Sequence, residues 1–160
     1  MKYAKALDGA DRSDSIIVSF DSEWHSKLHE SNFSVIIRKR TPAIARPKFL
    51  YFHINAPVSK ICGRAEIFSI RDIDGKRAVE LSKEIGIHPS SILKYVGSNK
   101  SVGAYFIGKI ELPDAEVPTI ALQEFLFYSP PQSFLFLSHD GKETIDQLCR
   151  FHTNQHLRRE

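Results

Sequence analysis

The sequence predicts a mostly β fold with added helices (α+β), a small and mostly antiparallel barrel whose helices sit in the connections. Phe49-Leu50-Tyr51-Phe52-His53-Ile54 is apolar or aromatic at nearly every position, which suits a central strand covered on both faces. Beyond Asn55-Ala56-Pro57, a turn because proline lacks an amide hydrogen, a second arm alternates. Ile61, Gly63, Ala65, Ile67 and Ser69 share one face; Cys62, Arg64, Glu66, Phe68 and Ile70 share the other. The first set is mostly small, as the tapered interior of a small barrel requires. Residues 48–74 thus form a central hairpin, with Gly63 marking a bulge, a bend or a close approach.

The other elements follow in chain order. Residues 1–14 carry no periodic apolar pattern and read as a flexible lead-in. Residues 15–20 (SIIVSF) form a β-branched strand, after which Asp21 caps a helix with Trp24 and Leu28 on one face and Glu23 paired with Lys27. Residues 32–40 form a second strand ending in three cations, and a proline-bounded loop leads into the hairpin. Residues 76–85 form a helix with Ala78, Leu81 and Ile85 inward and Gly86 as its stop. His88-Pro89 opens another helix, closed by Gly97. Residues 101–112 form a glycine-containing strand, and 120–128 fit either a short helix or an irregular strand. A stiff Ser129-Pro130-Pro131-Gln132-Ser133 connector leads to a last strand at 134–137. Asp140-Gly141-Lys142-Glu143 resembles a capping box before a C-terminal helix with Ile145, Leu148 and Cys149 buried, and the tail frays. The expected organisation is a lead-in (1–14), one barrel domain (15–138) and a helix and tail packed on it (139–160).

The length of 160 residues is enough for one domain with a proper core. A net charge of +3 permits a polyanionic partner without demanding one. Cys62 and Cys149 lack zinc-ribbon or CxxC spacing, so both read as reduced core thiols of a cytoplasmic protein. No stretch reads as a signal peptide or approaches membrane-spanning length, so no membrane partner is expected.

The strand order, then YFHINAPVSKICGRAEI, GIHPSSILKYVGSNKSVGAYFIGKI and PPQSFLFL, resembles the ASCH branch of the PUA-like superfamily over about residues 16–137. The resemblance implies a PUA-like antiparallel pseudo-barrel with a cleft beside the first helix, and an association with RNA or modified nucleotides. The family's cleft motif has a glycine and lysine before the second strand, a glutamate within it and an arginine near its end. Here the lysine position falls near Asn32 or Phe33 and the glutamate near Ile36, so only Arg38-Lys39-Arg40 persists. Hydrolytic chemistry that depends on those groups is not expected.

Arg38, Lys39, Arg40, Arg46 and Lys48 place five cations in eleven residues, a set that can hold phosphates or simply solvate a strand end. Trp24 is either a base-stacking face at the cleft or a core anchor. Tyr51 can stack, and Asn55 can read a base edge or serve only the turn. Gln132 and Ser133, stiffened by two prolines, either contact a ligand or satisfy buried backbone groups. His25/His29 and His152/His156 each present two imidazoles four residues apart, but no neighbouring residue offers a third ligand, so no metal and no cofactor is expected. The expected function is non-catalytic binding of RNA or a nucleotide between the first helix and the central hairpin, with a regulatory role such as transcription regulation. The alternatives are a nucleic-acid or modified-nucleoside hydrolase using the same cleft, and a protein-interaction module docking through FLFYSPP. Oligomeric state is open.

Overall fold

The apolar arm becomes strand β3 (Phe49–Ile54), buried at every residue after its first in a computed structural model that describes residues 12–30, 32–42, 46–126 and 134–153. Such a strand needs partners on both edges and cover on both faces. β1 (Arg12–Phe20) pairs with it in parallel, Ile16 beside Leu50 and Phe20 beside Ile54. β4 (Lys60–Ile73) pairs on the other edge, antiparallel. With 14 residues β4 serves two partners in turn: Lys60 to Glu66 face β3, and Ile67 to Ile73 face β5 (Val102–Ile107). β2 (Val35–Arg38) extends the sheet beyond β5, and β8 (Leu135–Ser138) extends it beyond β1. The short strands β6 (Glu111–Pro113) and β7 (Val117–Pro118) add to β4, and β9 (Phe151–Thr153) adds to β6.

Among the described residues this is one mixed sheet of nine strands, α+β and mostly antiparallel as expected. β1 and β3 form a parallel pair within it, and the path from β2 to β8 is open, as the expected pseudo-barrel requires.

The bulge beside Gly63 redistributes the alternating arm. Phe52 pairs with Gly63 but His53 pairs with Ile61, leaving Cys62 as the extra residue. Ala65 and Ile67 therefore share a core cluster with Cys62, whereas Ile61 belongs to the cluster on the opposite side. A second register shift at Phe68 turns that ring outward, 67% exposed.

Helices cover the remaining apolar surface. α1 (Trp24–Glu30) sets Trp24 and Leu28 into the first cluster, one turn apart. The helix expected over 76–85 is two pieces, α2 (Gly75–Glu80) and α3 (Ser82–Ile85), with Ala78, Leu81 and Ile85 inward. Asp74 caps α2 by accepting the Arg77 amide hydrogen at 2.8 Å, and Gly86 ends α3 at φ 76°, where glycine carries no Cβ penalty. α4 (Pro89–Val96) has His88 as N-cap, and with α2 and α3 it covers Val35, Ile37, Val102 and Ala104. The segment left open in the sequence is helical, α5 (Thr119–Leu126). α6 (His139–Cys149) is capped by Ser138, whose Oγ accepts from the Gly141 amide at 2.9 Å, in place of the expected Asp140 box. Ile145 and Cys149 of α6 are buried, but Leu148 is 38% exposed. Arg12, Ser13 and Asp14 belong to β1 and not to a lead-in, β9 follows the C-terminal helix as a strand the sequence did not suggest, and the tail expected to fray, residues 156–160, lies outside the described residues. Among the described residues no helix is long and apolar enough to cross a membrane.

Candidate functional site

Where β1 and β2 end, α1 and α4 stand on either side of a cleft of about 820 Å³. Its apolar surface comes from Phe20, Ile37 and Ile92, and Ser19, Asp21, Glu23, Lys27, Arg38, Asn55, Ser91 and Tyr95 bring polar groups to it. That volume lies within the ~300–1,000 Å³ range of small-molecule sites. The expected cleft lay between α1 and the hairpin. The hairpin in fact contributes Asn55, and the facing wall is α4 with the Gly86–His88 turn before it.

Arg38 is the unusual group. Its guanidinium lies 4.2 Å from the centre of the Phe20 ring and donates to two carbonyls, Ile37 O and Ser19 O, each at 3.1 Å. Among the described residues no carboxylate comes within ion-pair distance of it, and Asp21 acts on it only at longer range. Burial accordingly pushes its pKa below the ordinary arginine value, with Tyr95, Tyr105 and Asp21 offsetting part of the shift. Behind it Tyr105, fully buried on β5, has a hydroxyl with no hydrogen-bond partner among the described residues. Burial raises that phenol well above its usual pKa, and the Arg38 charge opposes the shift.

Lys27 does not pair with Glu23 as expected. It spans the end of the cleft, donating to Gly86 O at 2.8 Å while lying 4.7 Å from the centre of the Trp24 ring. Tyr95, half-buried on α4, ties that helix to the end of β2. Its hydroxyl accepts the Lys39 amide hydrogen at 3.1 Å, and the Lys39 ammonium lies 5.1 Å from its ring centre.

Of the residues singled out from sequence, Arg38, Asn55 and Trp24 line the cleft. Trp24 is only 7% exposed, packed against Phe20 at 5.1 Å and edge-on to Phe33 at 5.2 Å, so the core-anchor reading describes it. Asn55 combines both of its readings: its carbonyl accepts from Val58 and Ser59 in the turn, and it also lines the cleft. Lys39 and Arg40 are exposed just past Arg38. Lys48 precedes β3 at the end opposite Asn55, roughly 23 Å away along the strand, too far to serve the same small ligand.

Tyr51 is a correction. It is fully buried on the other side of the sheet, where its hydroxyl donates to Asp146 at 2.6 Å. Arg64 bonds the same carboxylate at 3.1 Å and also Glu111, and Lys142 reaches Asp146 at 3.1 Å. This network fastens α6 and β6 to the sheet and takes no part in the cleft. Gln132, Ser133 and residues 127–131 of FLFYSPP lie outside the described residues.

The surroundings of the α1 histidines also differ from what sequence spacing suggested. The His25/His29 pair on α1 acquires a third group that sequence proximity could not supply, Glu116, from the segment between β6 and β7. His25 Nε2 is 2.7 Å and His29 Nε2 is 3.7 Å from Glu116 Oε2. Burial, helped by this carboxylate, holds the nearby Cys62 thiol protonated.

The chain matches no protein-family model and no curated protein. Its fold nevertheless has solved counterparts, and the class they define is the PUA-like pseudo-barrel. The ASCH protein of Zymomonas mobilis superposes with a TM-score of 0.76 at 17% identity, over 88% of this chain and 97% of that one. The N-terminal domain of Staphylothermus marinus McrB gives 0.58 at 6% identity, over 89% and 99%. The Mmi1 YTH domain, in a complex with RNA, gives 0.51 at 13% identity, over 96% and 87%. Within the class, this chain has the ASCH-domain fold.

Proposed function

We propose that the chain binds RNA or a nucleotide in the cleft between α1 and α4, as a non-catalytic module of the cytoplasm with a regulatory role. The observation that carries this reading is Arg38, a largely buried cation with no ion-pair partner among the described residues, on the wall of a cleft of ligand size. A largely buried charge without a counter-ion, held by two carbonyls, Tyr95 and the Phe20 ring face, is costly, and an anionic ligand relieves that cost. Only two of its hydrogen bonds go to backbone carbonyls, so the five-donor fork retains N–H groups for a phosphate. Lys39 and Arg40 follow Arg38 directly in the chain and are exposed, adding positive charge beside it. Tyr95 is the aromatic face placed to stack a base, taking the role expected of Trp24 or Tyr51, and the Asn55 amide can read a base edge. The likeness to an RNA-complexed YTH fold supports the ligand class by analogy of fold.

The test is a salt titration of binding to a short fluorescent single-stranded RNA, with a mononucleotide as competitor. Arg38→Ala is expected to weaken binding to all sequences alike and to flatten the salt dependence by about one unit, whereas Arg38→Lys keeps the slope. Tyr95→Ala is expected to cost about 1–3 kcal/mol with the slope unchanged. No binding at low salt, or binding indifferent to both alanine substitutions, refutes the reading.

A further inference from the structure

His25 and His29 lie four residues apart on α1, on a different side of the helix from the buried Trp24 and Leu28. Their rings are 5.1 Å apart and nearly perpendicular, so both can turn a nitrogen toward one point. Glu116 meets them from 91 residues further along the chain. It is well held there. On one side the Asp114 amide bonds Cys149 O at 2.8 Å, and on the other Val117 is buried and paired with Ile61. The Glu116 side chain is 21% exposed, so the carboxylate is fixed yet open to solvent ions.

We propose that His25, His29 and Glu116 form a zinc site that staples α1 to the segment between β6 and β7. Two imidazoles and a carboxylate make a donor set suited to zinc, with water completing a four-coordinate shell. Zinc bonds of about 2.0–2.1 Å in a tetrahedral shell set the ligand atoms roughly 3.3 Å apart. The present separations from Glu116 Oε2, 2.7 and 3.7 Å, straddle that value, and all the ligand atoms lie within 4.8 Å of one another.

The consequence reaches the cleft, because α1 also carries Lys27 and Trp24. A metal joining α1 to a segment anchored on the sheet stiffens one cleft wall. The site itself does not depend on what the cleft binds.

The experiment uses the full chain, reduced and freed of metal by chelation, titrated with zinc chloride by calorimetry and followed by thermal unfolding. One zinc per chain is expected, with an unfolding midpoint that rises with zinc concentration, since only the folded chain assembles the three ligands. Cobalt in place of zinc is expected to give the visible absorption of a tetrahedral site. His29→Ala, at an exposed position, and Glu116→Gln, which keeps a hydrogen-bond acceptor for His25, are each expected to lower affinity at least about tenfold. His152→Ala, which alters the separate pair with Asp114, is expected to leave zinc binding unchanged. A midpoint insensitive to zinc overturns the proposal, as does zinc affinity unchanged in His29→Ala or Glu116→Gln.

Discussion

The buried imidazole of His53 makes stability depend on pH in a way that can be worked out from its surroundings. His53 is 1% exposed at the end of β3. Thr119 Oγ1 spends its single hydrogen on Ser59 O at 3.0 Å, so at 2.7 Å it must accept from His53 Nε2. That leaves Nδ1 as the unprotonated nitrogen, 3.1 Å from the Ser19 hydroxyl, which donates to it. Burial lowers the His53 pKa below its ordinary value, because the charged ring would lose its water. In the unfolded chain the ring titrates near 6.5. As pH falls, the unfolded state therefore takes up its proton first, and the stability tied to neutral His53 is intact above about 6.5 and lost below it. Each pH unit between the two pKa values costs about 1.4 kcal/mol, so the loss reaches up to about 1.4 kcal/mol by pH 5.5. Urea unfolding at pH 8, 6.5 and 5.5 measures it. His53→Gln, which keeps a donor and an acceptor without a titrating ring, is expected to be less stable at pH 8 by about 1–2 kcal/mol but to lose less on acidification. The other histidines contribute equally to both proteins, so the difference between the two curves isolates His53. Parallel curves refute the reasoning.

Tyr51→Phe removes the hydroxyl bonded to Asp146 but leaves that carboxylate with Arg64 and Lys142, so a loss of about 1–2 kcal/mol in denaturant unfolding is expected. RNA affinity in the same variant is expected to be unchanged, and a loss there places Tyr51 in the binding site after all. Gly86→Ala forces a side chain into the left-handed region at φ 76° and sets a Cβ 3.4 Å from that of Phe33. It is expected to cost about 1–2 kcal/mol in the same assay and to weaken ligand binding by shifting the carbonyl that holds Lys27.

What the sequence determined by itself was governed by short-range rules. The double-faced burial of β3, the irregularity at Gly63, the helix stops at Gly86 and Gly97 and the entry at Pro89 follow from period, caps and backbone chemistry within a few residues. The strand order and the likeness in sequence motifs extended this to an ASCH-domain fold. Local rules stop at the choice of face. When both sides of a strand are apolar, alternation does not say which side holds Tyr51, and one extra residue at Cys62 sends Ile61 to the opposite cluster from Ala65. Pairing across the chain is likewise invisible in sequence spacing. The parallel run of β1 with β3, the meeting of Lys27 with Gly86, the approach of Tyr95 to Arg38 and the arrival of Glu116 beside His25 and His29 all depend on sheet register. Register is set by the whole core packing at once, and so tertiary structure decided which partners complete the sites around Arg38, Asn55 and the His25/His29 pair, residues the sequence had already singled out.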